Sequence, residues 1–251
     1  MKRVKLEIDE VKQIQLEILD VVADFCSRNQ IQYWIDSGTL LGAIRHHGYI
    51  PWDDDIDVGM LREDYDRFSE LFNQMDWKYK FVCIENKEDF FAPHGKVLDT
   101  STILYEPDEN GFKLSVNIDI FVYDNAPDDD RIVNEMFDCR DALRKRFFIQ
   151  NQNNGPTGNW FYRLLKYVRR GCYKLFAGSC LIEKMVENAK RFAEKDTKRV
   201  GNFTAYSRTV CDKRVFREFV DVEFEGRIFK APIGYDEWLR AFMVTICSYH
   251  H

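Results

Sequence analysis

The sequence holds four aspartates between positions 53 and 57, and two of them, Asp55 and Asp57, are spaced for shared chemistry. Ile56 and Val58 alternate with them, which indicates a β-strand. Side chains alternate between the two faces of a strand, so we expect both carboxylates on one face and both apolar residues in a core. Neighbouring carboxylates repel each other unless a positive charge lies between them, and a divalent cation supplies that charge. The spacing therefore predicts a metal site.

A third candidate carboxylate belongs to Asp119, which interrupts an apolar strand predicted over residues 115–123. An acidic side chain in such a strand is costly unless it is paired or bound to a metal. A salt bridge near the end of the strand is the alternative explanation. With two carboxylates already predicted upstream, we expect Asp119 to join them, either in a second metal site or as the acceptor of a proton.

The turn before the acidic segment could hold phosphate. Residues 33–35 predict a short strand, Ser37, Gly38 and Thr39 form a turn, and a helix is expected to follow. Backbone N–H groups and hydroxyls at a helix N-terminus suit phosphate oxygens.

Two basic residues are candidates for a phosphate contact. Arg45 follows the turn by one helix length, and Lys96 lies in a further predicted strand. A Gly-Ser turn or an Asp-x-Asp pair alone is a weak or moderate signal. The two together at this spacing are a strong one, and they point to phosphoryl transfer.

Over residues 34–60 the sequence resembles the LicD family of phosphocholine-type transferases, to which fukutin-related proteins are also similar. A looser resemblance continues through residues 96–100, 117–121 and 224–227. The resemblance implies an α+β fold of the nucleotidyltransferase type found in DNA polymerase β, with a mixed sheet flanked by helices and a helical C-terminal half. In that fold a Gly-Ser turn opens a phosphate-binding helix, and three aspartates bind magnesium.

The resemblance also implies a reaction: Mg²⁺-dependent transfer of a phosphocholine-like group from a CDP-linked donor, CDP-choline first, to a glycan hydroxyl. Mn²⁺ could replace Mg²⁺. The acceptor would be a cell-surface glycan, such as lipopolysaccharide or teichoic acid, or its lipid-linked precursor. Two alternatives stay open: a nucleotidyltransferase that moves a nucleoside monophosphate to a protein, small molecule or RNA, and a non-catalytic scaffold. The implied catalytic and metal-binding residues are Asp55, Asp57 and Asp119, and the implied substrate-binding residues are Ser37, Gly38, Thr39, Arg45 and Lys96.

The composition excludes several classes of protein. The chain has 251 residues, 45% hydrophobic and 31% charged, as in globular proteins. Its net charge of −6 argues against nucleic-acid binding, which needs a basic surface. Seven cysteines without C-x-x-C pairs indicate reduced, buried thiols. We find no apolar run that could span a bilayer and no signal peptide, so we expect a cytoplasmic protein.

We predict a single domain, with a core over residues of about 30–125, a helical annex over about 127–200, and a hairpin and final helix over about 215–251. Apolar periodicity predicts helices over residues 8–28, 62–73, 131–149, 181–195 and 235–243, and strands over 79–85, 96–104 and 115–123. A hairpin over 219–230 should turn at Glu225 and Gly226. Residues 151–159 form a polar loop that could act as a lid.

Two C-terminal features bear on partners and activity. Residues 160–176 are basic and amphipathic, with Arg163, Arg169, Arg170 and Lys174 but no acidic residue. They predict either an ordinary bundle helix or a peripheral contact with an anionic membrane face. Residues 243–251 depart from the family pattern, which usually continues into an aromatic-glycine turn and a proline. The departure lies in the segment that would form the C-terminal wall of the substrate pocket.

Overall fold

The structure, a computed structural model, describes residues 5–86, 92–104, 115–151 and 181–248. We number its elements in chain order. The helices are α1 Ile8–Arg28, α2 Ser37–His46, α3 Arg62–Leu71, α4 Asp130–Asn151, α5 Leu181–Ala189 and α6 Tyr235–Ser248. The strands are β1 Trp34–Ile35, β2 Asp57–Leu61, β3 Tyr79–Val82, β4 Gly95–Asp99, β5 Asn117–Ala126, β6 Arg199–Gly201, β7 Val210–Asp212, β8 Phe219–Phe224 and β9 Arg227–Pro232.

A mixed sheet forms the centre of the fold, with its main strands in the order β1-β2-β5-β4-β3. Strands β2 and β5 pair in parallel, and the other pairs are antiparallel. The far end of β5 also pairs with β6, which pairs with β7. Helices flank this sheet, so the predicted α+β class and mixed sheet are confirmed.

The register of the central strands brings distant residues side by side. Asp57 on β2 lies opposite Asp119 on β5, and Asp119 in turn lies opposite Lys96 on β4. In a sheet, directly opposed residues on one face have Cβ atoms about 4.5–5.5 Å apart. Three chemically important side chains therefore lie in one row across three strands.

Helix α1 covers one face of the sheet and confirms the predicted span. Its first turn is closed by a reciprocal capping box between Glu7 and Glu10. Leu19 and Val22 on its inner face are fully buried, as is Ile18. Burying a side chain of this size stabilises a fold by about 1.5–3 kcal/mol, so the helix is held by packing more than by its own propensity.

The predicted hairpin is also confirmed, and its turn holds the loop after α2. Glu225 and Gly226 both have positive φ, 53° and 70°, as two-residue hairpin turns require. The Glu225 N–H donates to the His47 carbonyl at 2.8 Å, and its carboxylate accepts from the Tyr49 N–H at 3.0 Å. A Cβ on Gly48 would lie 2.2 Å from Glu225 Oε1, so the contact needs glycine there.

Among its described residues, the C-terminal half contains two strands that were not predicted, besides the predicted helices and hairpin. Strands β6 and β7 extend the main sheet, but each has only three residues, too few to show alternation in the sequence. Strand β3 ends at Val82 and strand β4 at Asp99. Both are shorter than predicted, since the predicted strands ran to residues 85 and 104, because a turn follows each strand. Cys26, Cys83 and Cys211 are buried free thiols, whereas Cys139 is exposed, contrary to expectation.

Two predicted segments fall outside the described residues: the lid loop beyond Asn151 and the basic segment over residues 160–176. Within the described ranges, no helix is both long and apolar enough to cross a membrane.

Candidate active site

The turn that opens α2 is anchored to the acidic strand. The Asp36 N–H donates to the Asp57 carbonyl at 2.8 Å, and the Asp57 N–H donates to Thr39 Oγ1 at 2.8 Å. Ser37 between them has a φ of 48°, in the left-handed region. Such a conformation costs a non-glycine residue on the order of 1–3 kcal/mol and is concentrated at functional sites. The turn is therefore held in one geometry by the strand beside it.

Asp36 has a structural role. Its carboxylate is fully buried and accepts hydrogen bonds from the Tyr123 hydroxyl at 2.5 Å and Trp238 Nε1 at 3.0 Å. Burial raises its pKa, and the hydrogen bonds from Tyr123 and the backbone of Ser37 oppose that shift. Asp36 therefore ties the turn to β5 and α6.

Two predicted substrate-binding residues are placed elsewhere. Thr39 is only 3% exposed, and its hydroxyl is engaged with the backbone of Asp57, so it positions that aspartate. Arg45 is exposed in the last turn of α2 and lies outside the cleft described below. The sequence placed Arg45 one helix length from the turn, and at that distance the side chain remains at the opposite end of the helix.

The remaining predicted residues line one cleft of about 600 Å³. Strand β2 begins at Asp57, so Asp55 lies in the irregular segment before the strand. Both nevertheless face the same space. We call this region the acidic cleft, and its residues are Ser37, Gly38, Asp53, Asp55, Asp57, Lys96 and Asp119. A volume of this size suits a nucleotide-sized ligand.

Close packing at Gly38 brings the turn against the acidic segment. A Cβ at this position would lie 2.7 Å from Asp53 Oδ2. Glycine therefore lets the start of α2, with its exposed N–H groups, approach the carboxylates directly.

The carboxylates of Asp55 and Asp57 repel their neighbours. Burial raises the pKa of Asp57 well above its usual range, and the charges of Asp55 and Asp119 raise it further. Asp55 is exposed as a residue, but partial burial of its carboxyl group raises its pKa to about 7, with Asp53 and Asp119 adding to the shift. The carboxylates of Asp55 and Asp57 are thus disfavoured in their charged form, and a cation bound between them would relieve the repulsion.

Asp119 differs because the Lys96 ammonium and the His94 ring lie against its carboxylate. Lys96 Nζ donates to its Oδ1, and His94 Nε2 lies 3.1 Å from its Oδ2. The histidine is close enough for an ion pair, but its N–H does not point along a hydrogen bond. Burial alone would raise the pKa of Asp119, but Lys96 and His94 hold the pKa below its usual range. Asp119 therefore stays charged.

Comparison with known proteins places this site in a family. The sequence model described as "LicD/FKTN/FKRP, nucleotidyltransferase domain" matches residues 30–147. The lipopolysaccharide cholinephosphotransferase LicD of Haemophilus influenzae is 30% identical over 250 residues, which cover 95% of this chain and 90% of that protein. The chain belongs to the LicD family. It is a phosphotransferase, as the family relationship shows.

Two shorter similarities support the assignment to the LicD family. Human ribitol 5-phosphate transferase FKRP is 46% identical over 41 residues, 16% of this chain and 8% of the human protein. An uncharacterised protein of Rickettsia typhi is 36% identical over 117 residues, 43% of this chain and 38% of that protein.

The side chains of this LicD-family site can be compared with the ligands that a magnesium ion prefers. Among the described residues, no group of three or more His, Cys, Asp or Glu side chains is arranged to hold a metal. Both oxygens of Asp119 already have neighbours, Lys96 at Oδ1 and His94 at Oδ2. Asp55 and Asp57 alone still fit magnesium, which commonly takes one or two carboxylates from a protein and its other ligands from phosphate and water. Their mutual repulsion is what a cation would relieve.

Two residues of the LicD-family site were missed from the sequence. His94 lies two positions before Lys96, and the alternation of side chains in a strand could have placed both on one face. Gln15 lies on the apolar face of α1 and is 6% exposed. Its Nε2 donates to the carbonyls of Asp54 at 3.0 Å and Asn117 at 3.3 Å. A polar residue on a buried helical face was the available signal.

Proposed function

We propose that this LicD-family protein transfers a phosphocholine-like phosphoryl group from a CDP-linked donor to a hydroxyl of a cell-surface glycan or its lipid-linked precursor. The similarity to the Haemophilus enzyme over nearly the whole chain supports the transferred group and the glycan acceptor. One observation carries the proposal: the turn at Ser37 and Gly38, which begins a helix and suits phosphate, lines the same cleft as Asp55 and Asp57.

In this proposal, the donor phosphates lie at the N-terminus of α2. The helix is ten residues long, and its first N–H groups have no partner within the helix. The positive end of the helix dipole favours an anion there. Gly38 allows the phosphate to come close to the acidic segment.

Asp55 and Asp57 would hold Mg²⁺, with Mn²⁺ as a substitute, and the donor would complete the coordination. When bound, the cation would neutralise charge that develops on the transferred group. Thr39 fixes the backbone of Asp57 so that its carboxylate faces the cleft. Metal and donor are thus proposed to bind together.

The role of Asp119 is limited by its neighbours. A carboxylate whose pKa is lowered is a weak base, so Asp119 is poorly suited to take the proton of the acceptor hydroxyl. We propose that Asp119 is the third carboxylate of the metal site. One of its oxygens would then bind the metal instead of Lys96 or His94. Lys96 would then contact a donor phosphate.

The fold is proposed to be of the nucleotidyltransferase type found in DNA polymerase β. The support is the placement of Asp57 and Asp119 on paired parallel strands beside a helix that begins with a Gly-containing turn. The description of the matched family contains the same domain type.

The proposed reaction can be tested by measuring product release. The protein is incubated with Mg²⁺, CDP-choline and purified lipooligosaccharide, and CMP is measured. Acceptor-dependent CMP release is the expected result. CDP-ribitol is tested in parallel because of the similarity to the ribitol phosphate transferase.

The same assay separates the alternatives. Pyrophosphate release from CTP or ATP, without CMP release from CDP-choline, would identify a nucleotidyltransferase that moves a nucleoside monophosphate. Binding of CDP-choline with no turnover on any acceptor would instead favour a non-catalytic scaffold.

A further inference from the structure

The cleft has a second wall that is built from aromatic side chains. Tyr206, in the loop between β6 and β7, lines the cleft and is 69% exposed. Phe147 and Phe148 of α4 line it as well, and Phe148 is 52% exposed. We call these three residues the aromatic wall. Large aromatic side chains that stay exposed beside a cleft are candidates for ligand contact.

The loop that carries Tyr206 is held rigidly by helix α4. Arg140 is fully buried and donates to the carbonyls of Ser207 at 2.7 Å and Tyr206 at 3.4 Å. Arg144 donates to the carbonyls of Thr204 at 3.2 Å and Ala205 at 2.5 Å. Four consecutive carbonyls are thus engaged by two arginines.

A side chain closes the same loop from within. Asn202 Oδ1 accepts from the N–H groups of Thr204 at 3.1 Å and Ala205 at 2.9 Å. The buried cation of Arg140 and these bonds fix the backbone around an exposed ring. Preorganising an exposed ring in this way reduces the entropy that a ligand must overcome on binding.

Arg144 also determines what the ring can accept. Its guanidinium lies 4.2 Å from the centre of the Tyr206 ring, in a cation–π contact. A second cation against this wall would be repelled by the first. A quaternary ammonium group is therefore disfavoured at this wall.

A sugar is also a poor match for the aromatic wall. Its hydroxyls need hydrogen-bond partners, because a polar group that loses its water without gaining a partner weakens binding. The carbonyls of residues 204–207 each already accept a hydrogen bond from Arg140 or Arg144, which leaves less acceptor capacity for sugar hydroxyls. A planar nucleobase has apolar faces and polar edges, so it can stack on this surface and needs fewer hydrogen-bond partners from it than a sugar does.

We propose that the aromatic wall is the nucleobase site of the donor, with Tyr206 as the stacking residue. This inference rests on the proposed function, because it assumes a nucleotide-linked donor whose phosphates lie in the acidic cleft. Stacking of a base on an aromatic side chain is worth roughly a tenfold or greater change in affinity. The aromatic wall then contributes to donor affinity, whereas the acidic cleft binds the reacting phosphates.

The test compares fragments of the donor. Binding of CMP, phosphocholine and CDP-choline is measured by calorimetry, with Mg²⁺ present, for the wild type, Tyr206→Ala and Tyr206→Phe. We expect Tyr206→Ala to weaken CMP and CDP-choline about tenfold and to leave phosphocholine unchanged. Tyr206→Phe keeps the ring and should bind all three like the wild type. Ile228→Ala, at a 61% exposed position on β9, is the matched surface control.

The outcomes separate this inference from the proposed function. If wild type binds CMP and Tyr206→Ala binds it equally, the base site is wrong and the donor class stands. If Tyr206→Ala weakens phosphocholine instead of CMP, the aromatic wall binds the head group and the inference is overturned. If wild type binds neither CMP nor CDP-choline, the donor class fails and the inference fails with it. Thermal unfolding of each variant shows whether the loop stays folded.

Discussion

The side-chain amide of Gln15 donates to the carbonyl of Asp54 at 3.0 Å, and it also reaches the carbonyl of Asn117 at 3.3 Å. Asp54 precedes Asp55, and Asn117 begins the strand that carries Asp119. One amide on α1 therefore joins the two segments that bear the proposed catalytic carboxylates. The Tyr49 hydroxyl donates to the Oε1 of the same amide at 3.2 Å.

The first prediction concerns this amide. Gln15→Met keeps the length of the side chain but removes its donor, leaving two carbonyls without it. We expect kcat to fall on the order of tenfold to 100-fold, because a displacement of about 1 Å can cost 100-fold in rate. Gln13→Met, at an exposed position on the same helix, is the control and should keep wild-type kinetics. Equal activity of the two variants would show that Gln15 does not align the site.

The second prediction distinguishes the role of Asp57 from that of Asp54. Asp57→Asn removes a proposed metal ligand, and we expect activity to fall on the order of 100-fold or more. The same change removes a repelled, buried charge, so the metal-free variant should unfold at a higher temperature than the wild type. Asp54→Asn, at an exposed position outside the cleft lining, should change neither property strongly. Equal Mg²⁺ dependence in Asp57→Asn and wild type would count against Asp57 as a ligand.

The third prediction concerns pH. The raised pKa values of Asp55 and Asp57 mean that, above pH of about 4, the unfolded chain loses protons that the metal-free folded state keeps. Stability without metal should therefore fall as pH rises from about 4 towards about 7. Because Asp55 is exposed, solvent screening reduces its share of this effect.

Thermal unfolding measured across this range, in EDTA and in Mg²⁺, checks the third prediction. We expect the fall in EDTA to amount to several degrees, since about 1 kcal/mol lowers Tm by roughly 2–4 °C in a protein of this size. Magnesium should reduce the fall, because it binds the deprotonated carboxylates. A stability in EDTA that rises from pH of about 4 to about 7 would contradict the raised pKa values of Asp55 and Asp57.

The fourth prediction compares two glycines of α2. A Cβ at Gly42 would lie 2.4 Å from the Gly48 carbonyl oxygen, which is backbone and cannot move aside easily. We expect Gly42→Ala to cost about 1–3 kcal/mol of stability. A Cβ at Gly38 would instead meet the end of the Asp53 side chain, which can rotate away.

Gly38→Ala should therefore keep the melting temperature and lose donor affinity, because the added methyl group displaces Asp53 and narrows the acidic cleft. Differential scanning calorimetry and CDP-choline binding distinguish the two effects. A large loss of stability in Gly38→Ala, with unchanged donor affinity, would show that this glycine serves packing alone.

Local chemistry was predictable from the sequence, whereas relations between strands were not. The turn at Ser37 and Gly38 and the Asp55–Asp57 pair are each encoded within a few residues, and the structure places all four in one cleft. The ion pair between Asp119 and Lys96 depends on which strands are neighbours and in what register. Periodicity predicts a strand but does not identify its neighbours.

Some placements in the structure differ from what the sequence suggested, for physical reasons. Thr39 was expected to contact phosphate, but a hydroxyl can rotate to whichever partner the backbone offers, and here that partner is the Asp57 N–H. Arg45 is at the end of α2 away from the turn, which its sequence distance did not make evident. The loop with Tyr206 gave no signal, because its position depends on two arginines more than 60 residues earlier in the chain.

The hydrogen bond from Trp238 to Asp36 joins residues 202 positions apart, which has a consequence for synthesis on the ribosome. At about 5–20 residues per second, the nascent chain lacks this donor for roughly 10–40 s after Asp36 has been made. During that interval Asp36 cannot be fully buried at low cost, so the turn beside it is expected to stay mobile. The part that matches the family model, residues 30–147, contains the acids but lacks Trp238 and the hairpin. A chain interrupted after that part would carry every proposed metal ligand but would lack the Trp238 hydrogen bond that holds the turn at Asp36.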